Sequence, residues 1–127
     1  MSLQPVDLAK VRRGAVLLVN LDPTVGHEIK KTRPCVVISP DSYNKRISTV
    51  IVVPITTEEP GRMALSCEVS LPMGIGGLTS NSIAQPHQLR CVDKDRIAKY
   101  MGKLPPEHMM RVHQSAQMAI AEISTDR

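Results

Sequence analysis

The chain is a succession of short aliphatic runs, each stopped by proline, glycine or aspartate before it reaches helical length. That punctuation constrains the fold more than any other feature. Residues 15–21 form the first run, closed by the turn signal Asp22-Pro23. Residues 35–39 form a second, closed by Pro40-Asp41, and residues 48–56 a third, rich in β-branched side chains. Pro54 crosses the third run and predicts a strand edge or bulge, because proline cannot donate to a sheet ladder. After the turn Glu58-Glu59-Pro60-Gly61, residues 67–71 alternate at period two, as a half-buried strand does. Two further short strands are predicted over 82–85 and 88–92.

The final third has another texture. Residues 93–103 read as a short helical segment, and Pro105-Pro106-Glu107 as the start of a longer helix. Met109, Val112, Ala116, Ala119, Ile120 and Ile123 follow at helical spacing, a stripe suited to packing on a sheet. Many short strands and one terminal helix, without strand–helix alternation, predict a mainly β (α+β) fold. Its architecture is a small curled antiparallel sheet or barrel capped by the helix. At 127 residues there is room for one ordinary domain. Residues 1–12 lack apolar periodicity and read as a loosely held lead-in to a single domain over 13–127.

Composition then narrows the function. Phe and Trp are absent and Tyr occurs twice, so the core must be Val, Ile, Leu, Ala and Met. The same scarcity counts against modules that hold single strands by stacking bases on aromatic platforms. Lys and Arg outnumber acids 16 to 12, and the pairs Arg12-Arg13, Lys30-Lys31 and Lys45-Arg46 permit a polyanionic partner without establishing one. Cys35, Cys67 and Cys91 are odd in number and far apart, which suggests neither a disulfide framework nor a zinc site. Reduced, buried thiols in a cytoplasmic protein are expected. No apolar run approaches the ~18 residues needed to span a bilayer, so no membrane is expected to be involved.

Several signals weigh against other chemistries. Gly74-Ile75-Gly76-Gly77 lacks the Lys-Ser/Thr of a phosphate loop and reads as a flexible turn. His108 and His113 are five apart, so on one helix they face different ways and cannot chelate together. The informative stretch is residues 20–34, a long polar loop with His27, the cations Lys30 and Lys31, and Arg33 before Pro34. Pro34 biases Arg33 to an extended backbone where loop meets sheet. From there a guanidinium can hold a phosphate in fixed geometry, or it can pair with Asp22 or Glu28; the residues alone leave both open.

Residues 13–34, the segment Val53-Pro54-Ile55-Thr56-Thr57 and residues 82–97 closely resemble the MazF/PemK family of toxin endoribonucleases. The string Asp-Pro-Thr-x-Gly-His-Glu joined to Thr-Arg-Pro carries most of that resemblance, and Gln88 to Lys94 fits the family's late-strand pattern. The resemblance implies a homodimer of SH3-like barrels that cleaves single-stranded RNA at short sequence motifs with no metal or other cofactor. It also implies an antitoxin partner whose acidic flexible tail occupies the RNA groove. Arg33 matches the family's loop arginine and Thr56 its strand-end threonine.

The implied chemistry suits these residue types. The RNA 2′-OH attacks the adjacent phosphorus, giving a 2′,3′-cyclic phosphate and a 5′-OH. Arg33 supplies fixed charge to the phosphorane, and Thr56 bonds a phosphate oxygen or orients Arg33. Arginine is a poor proton acceptor, so His27 is either a proton-transfer group or an RNA contact. Lys30, Lys31, Thr32, Thr57, Gln85 and His87 complete the expected RNA-binding set. Gln85 and His87 stand where some relatives carry an Arg and an Asp, and Ala15 where an acid is common. Those departures keep two rivals open: a member that binds RNA or antitoxin without cutting, and a gyrase-directed toxin of related barrel fold.

Overall fold

The computed structural model describes residues 6–22, 26, 31–61 and 65–121. The sheet is organised around β1 (Ala15–Asn20), whose Val16, Leu17 and Val19 are all fully buried although they alternate between its two faces. β1 pairs antiparallel with β2 (Thr32–Val37) on one side and with β7 (Ile97–Lys103) on the other. β3 (Thr49–Thr57) pairs with β2 along one edge. Its other edge is shared: the first half takes β6 (Arg90–Asp93), and the second takes β5 (Ser82–Ala84). β4 (Val69–Leu71) lies beyond β5, giving the order β4-β5-β3-β2-β1-β7 with β6 beside β3. The seven-stranded sheet curls without closing.

Pro54 explains how one strand serves two partners. Val52 is the last β3 residue paired with β6, and Ile55 the first paired with β5. Proline sits at the changeover, where the absent N–H costs no ladder bond, and its carbonyl still accepts from the Gln85 N–H at 3.0 Å.

Strand alternation then makes two cores. Leu17, Val19, Leu21, Cys35, Val37, Val50, Val52, Val92 and Ile97 fill the inside of the curl. Val16, Val36, Val53, Ile55, Leu71, Ala84 and Leu104 fill the reverse face beneath α2 (Pro106–Ala121). Met109, Val112 and Ala116 of α2 are buried there. The predicted stripe ends sooner than its spacing implied: α2 lies over β4 and the turn Pro86–Gln88, then runs past the sheet, leaving Ala119 and Ile120 exposed. Ile123 is outside the described residues. Between β2 and β3, α1 (Asp41–Asn44) is a single turn.

Other expectations need correction. Residues 93–103 are not helical: a 3-10 turn at Lys94–Arg96 is followed by the seven residues of β7. β7 is extended because it is the partner for the second edge of β1, a tertiary demand that local propensity does not report. Nor is the glycine run at 74–77 a loose turn. Gly76 is buried, and a Cβ on Gly77, at φ +76°, would lie 2.2 Å from the Met101 carbonyl oxygen. These glycines let two backbones cross at Gly102 of β7. Of the cysteines, Cys35 is buried, Cys67 half-buried and Cys91 exposed, all reduced. The lead-in is packed from Val6, through a 3-10 turn at Leu8–Lys10, to Val11 in the inner core. Among the described residues, no helix is long and apolar enough to cross a membrane.

Candidate functional site

At one end of the curl the inner core stops and polar side chains take over its face. On β2, Cys35 and Val37 turn into that core; Arg33, two residues before Cys35, continues the same face at the rim and is half-buried. It is extended, as Pro34 predicts, and lies opposite Val19 of β1. On β3, Pro54 lies opposite Cys35. The ladder ends at that pair; strand alternation sets Thr56, two residues on, on the same face as Pro54, as Arg33 is on the face of Cys35, and Thr56 too is half-buried. Two residues far apart in sequence are thus brought to the same end of the same face.

The loop between β1 and β2 is tied at its base. Asp22 Oδ1 accepts from the Lys31 N–H at 2.8 Å, and the Leu21 N–H donates to the Lys31 carbonyl at 3.0 Å. Lys31 adopts φ 69°, an uncommon left-handed conformation for a residue with a side chain, held by these two bonds. Two arginines clamp the other strand of the loop. Arg90 Nη1 donates to the Leu21 carbonyl at 3.3 Å, while Arg96 Nη1 donates to the Asn20 carbonyl at 3.3 Å and also to the Asp22 carbonyl. Three consecutive carbonyls at the end of β1 are thereby held by guanidinium groups. Lys31, Arg33, Arg90 and Arg96 together make the rim basic.

Cys35 lies beneath this rim, its Sγ donating to the Arg33 carbonyl at 3.6 Å. Burial pushes its thiol up to about 12, against the opposing pull of the Arg90 charge, so it is an inert packing group. Gln85 follows β5, opposite Pro54, and donates through Nε2 to Glu68 Oε2 at 2.7 Å. Glu68 is buried, and its Oε1 accepts from the Leu65 N–H at 2.9 Å. His87, exposed in the turn Pro86–Gln88, has Nδ1 3.4 Å from Cys67 Sγ. Among the described residues, no three His, Cys, Asp or Glu side chains converge as metal donors.

A basic rim framed by an arginine and a threonine on adjacent strands is a feature that can be compared with known proteins. Residues 12–120 match the family model described as PemK-like, MazF-like toxin of type II toxin–antitoxin system. The chain belongs to that family. It is 31% identical over 103 residues to endoribonuclease PemK of Escherichia coli, spanning 80% of this chain and 76% of that protein. It is 32% identical over 113 residues to endoribonuclease EndoA of Bacillus subtilis strain 168, spanning 89% and 97%. In three dimensions it resembles an endoribonuclease in complex with its cognate antitoxin from mycobacterial species, with a TM-score of 0.71. That likeness covers 89% of this chain and 97% of the other at 18% identity, and shows the shared fold.

Within this PemK/MazF frame, the structure brings Arg33, Thr56 and Gln85 to one face and Lys31 to its edge. Thr32 and Thr57 are exposed and, by strand alternation, belong to the opposite face. His27 and Lys30 lie outside the described residues. Sequence reasoning missed Arg90, Arg96 and Glu68. A period-two reading of Arg90 and Val92 would have put Arg90 on the inner-core face. Nothing local, however, reveals that its target is a backbone carbonyl 69 residues away.

Proposed function

We propose that the protein is a metal-independent, sequence-selective endoribonuclease, the toxin of a toxin–antitoxin pair, acting in the cytoplasm. The observation that carries this reading is that Arg33 and Thr56 share one face of adjacent strands at a basic rim, in a chain of the PemK/MazF family. The matching curated relatives are endoribonucleases, which disfavours a gyrase-directed toxin or a binder without activity.

RNA carries its own nucleophile, so the protein has to hold the backbone in line, stabilise the phosphorane and manage two protons. Arg33 gives fixed charge and directed N–H donors to the nonbridging oxygens. The Thr56 hydroxyl bonds a phosphate oxygen or holds Arg33 in orientation. His27 is the first candidate for proton transfer, with His87 as a second, and Lys30 and Lys31 would contact the strand. Because the 2′-OH attacks, DNA is spared. The protein acts as a homodimer. Its regulator is an antitoxin with an acidic flexible tail, a partner supported by the antitoxin complex of the mycobacterial relative in fold.

Incubating a long, sequence-diverse RNA with the protein in EDTA tests this reading. Discrete cuts with 2′,3′-cyclic phosphate and 5′-OH ends are expected. RNA left whole by folded, antitoxin-free protein contradicts it.

A further inference from the structure

The rim lies where β1 ends, and the start of β1 is basic too. A cavity of about 200 Å³ opens there, lined by Lys10, Arg12, Arg13, Tyr100 and Lys103. These four cations come from three separate places: the 3-10 turn, the link into β1 and the end of β7. The register sets Lys103 opposite Ala15. Lys10 Nζ stands 5.0 Å from the centre of the Tyr100 ring, a cation–π contact that seats its charge at the cavity wall. One acid is near, and it is already engaged. Asp41 Oδ2 pairs with Arg12 at 3.3 Å, while Oδ1 accepts from the Arg13 N–H and from Asn44. Among the described residues that is the one ion pair, so no carboxylate offsets Lys10, Arg13 or Lys103. Ala15, where an acid is common in the family, gives the wall only a methyl group. The fold therefore gathers uncompensated cations around a hollow rather than spreading them over a solvated surface.

We propose that this cavity is a second RNA site, which holds a backbone phosphate of the substrate strand outside the cut motif. This rests on the endoribonuclease reading and extends it. Size favours a group over a whole molecule, because the cavity is smaller than the ~300 Å³ at which sites for drug-sized ligands begin. A phosphodiester, whose sugars and bases stay outside, is an anion of that kind. Two features join the cavity to the rim. Ala15 and Asn20 are the two ends of β1, so the sites stand about 17 Å apart, within reach of one extended strand of RNA. Cations also mark the way: Arg96 at the rim, Lys99 within β7 and Lys103 at the cavity follow one another along the last strand of the sheet. β7 carries two lysines and no acid. At the cavity Arg13 offers forked donors, and Lys10 and Lys103 offer point charges. Such contacts add affinity without reading bases, so this site grips the strand while the rim selects the cut.

The test measures binding of two RNAs, each blocked by a deoxyribose at the mapped cut: one confined to the motif, the other extended on both sides. The full chain is compared with Lys10→Gln/Lys103→Gln and with a charge-matched control at two exposed arginines, Arg46→Gln/Arg111→Gln. The wild type should hold the extended RNA about tenfold more tightly than the short one, with a steeper dependence on salt. The cavity variant should lose about tenfold on the extended RNA, and its salt slope should flatten by about 1 to 2. Its affinity for the short RNA should hold, and the control should stay within about twofold of wild type on both. Equal losses in the two variants assign the effect to net charge and overturn the proposal. Unchanged RNA affinity with weakened binding of a polyglutamate peptide also overturns it, and makes the cavity a seat for an acidic protein. If the cavity variant does not fold, a wild type indifferent to RNA length overturns it. A wild type that cuts nothing overturns the endoribonuclease reading; one that cuts, with no loss of affinity in the cavity variant, overturns this proposal alone.

Discussion

The same strands bury side chains on both faces, and the two faces end differently. Beneath α2 the core is closed by a helix and a glycine-tight crossing, and its border is a packing border. The core inside the curl ends at a rim of Arg33, Thr56, Arg90 and Arg96, where the backbone is held by charge rather than covered by apolar atoms. The difference separates stability from chemistry within one sheet: rigid strands set where the rim residues stand, and the rim is free to carry function.

That separation can be broken deliberately. The largest effect should come from Leu17→Ala, which empties part of the inner core and should cost about 2–5 kcal/mol. Chemical denaturation should show a lower midpoint while cleavage per folded molecule is kept. Thr56→Val reverses the pattern. It keeps the β-branched shape and removes the hydroxyl, so cleavage should fall by roughly 30-fold with the denaturation midpoint little moved. Arg90→Gln tests whether the clamp belongs to chemistry or packing. Freeing the Leu21 carbonyl should lower the cleavage rate by about tenfold and stability by about 1 kcal/mol, with Arg90→Lys restoring part of the rate.

The smallest effects are those of pH, and they fall away from the rim. His113 on α2 is held below its ordinary 6.5, first by burial and then by the Arg13 charge. The unfolded chain therefore takes up that proton more readily, and stability falls as pH drops below 6.5. Asp41 is held below its ordinary 3.8, chiefly by the Arg13 N–H at 2.7 Å. Its contribution is present above 3.8 and is lost as pH falls through the lower folded value. Denaturation midpoints measured against pH should flatten in the first window for His113→Gln and in the second for Asp41→Asn. Cleavage at neutral pH should be unchanged in both.

The contrast also separates what can be read from the chain alone from what cannot. β1, β2 and β3 are legible because β-branched runs with proline and aspartate stops are local signals. Arg33 is legible as an extended rim residue because Pro34 acts on its neighbour. β7 is not: Ala98, Lys99 and Gly102 favour no strand by themselves, and β7 is extended because β1 has a second edge to pair. The loss of the helical stripe after Ala116 depends on where the sheet ends, which no periodicity encodes. Arg96 reaching the Asn20 carbonyl and Glu68 reaching Gln85 are bonds between distant segments, invisible until the strands are in register.

The most direct test of the rim as the seat of chemistry is single-turnover cleavage of one mapped RNA by Arg33→Ala and wild type, with both denaturation midpoints measured. A loss of at least about 100-fold in rate, with stability within about 1 kcal/mol of wild type, is the predicted result. Cleavage at the wild-type rate by the folded variant would contradict it and move the reaction away from this rim.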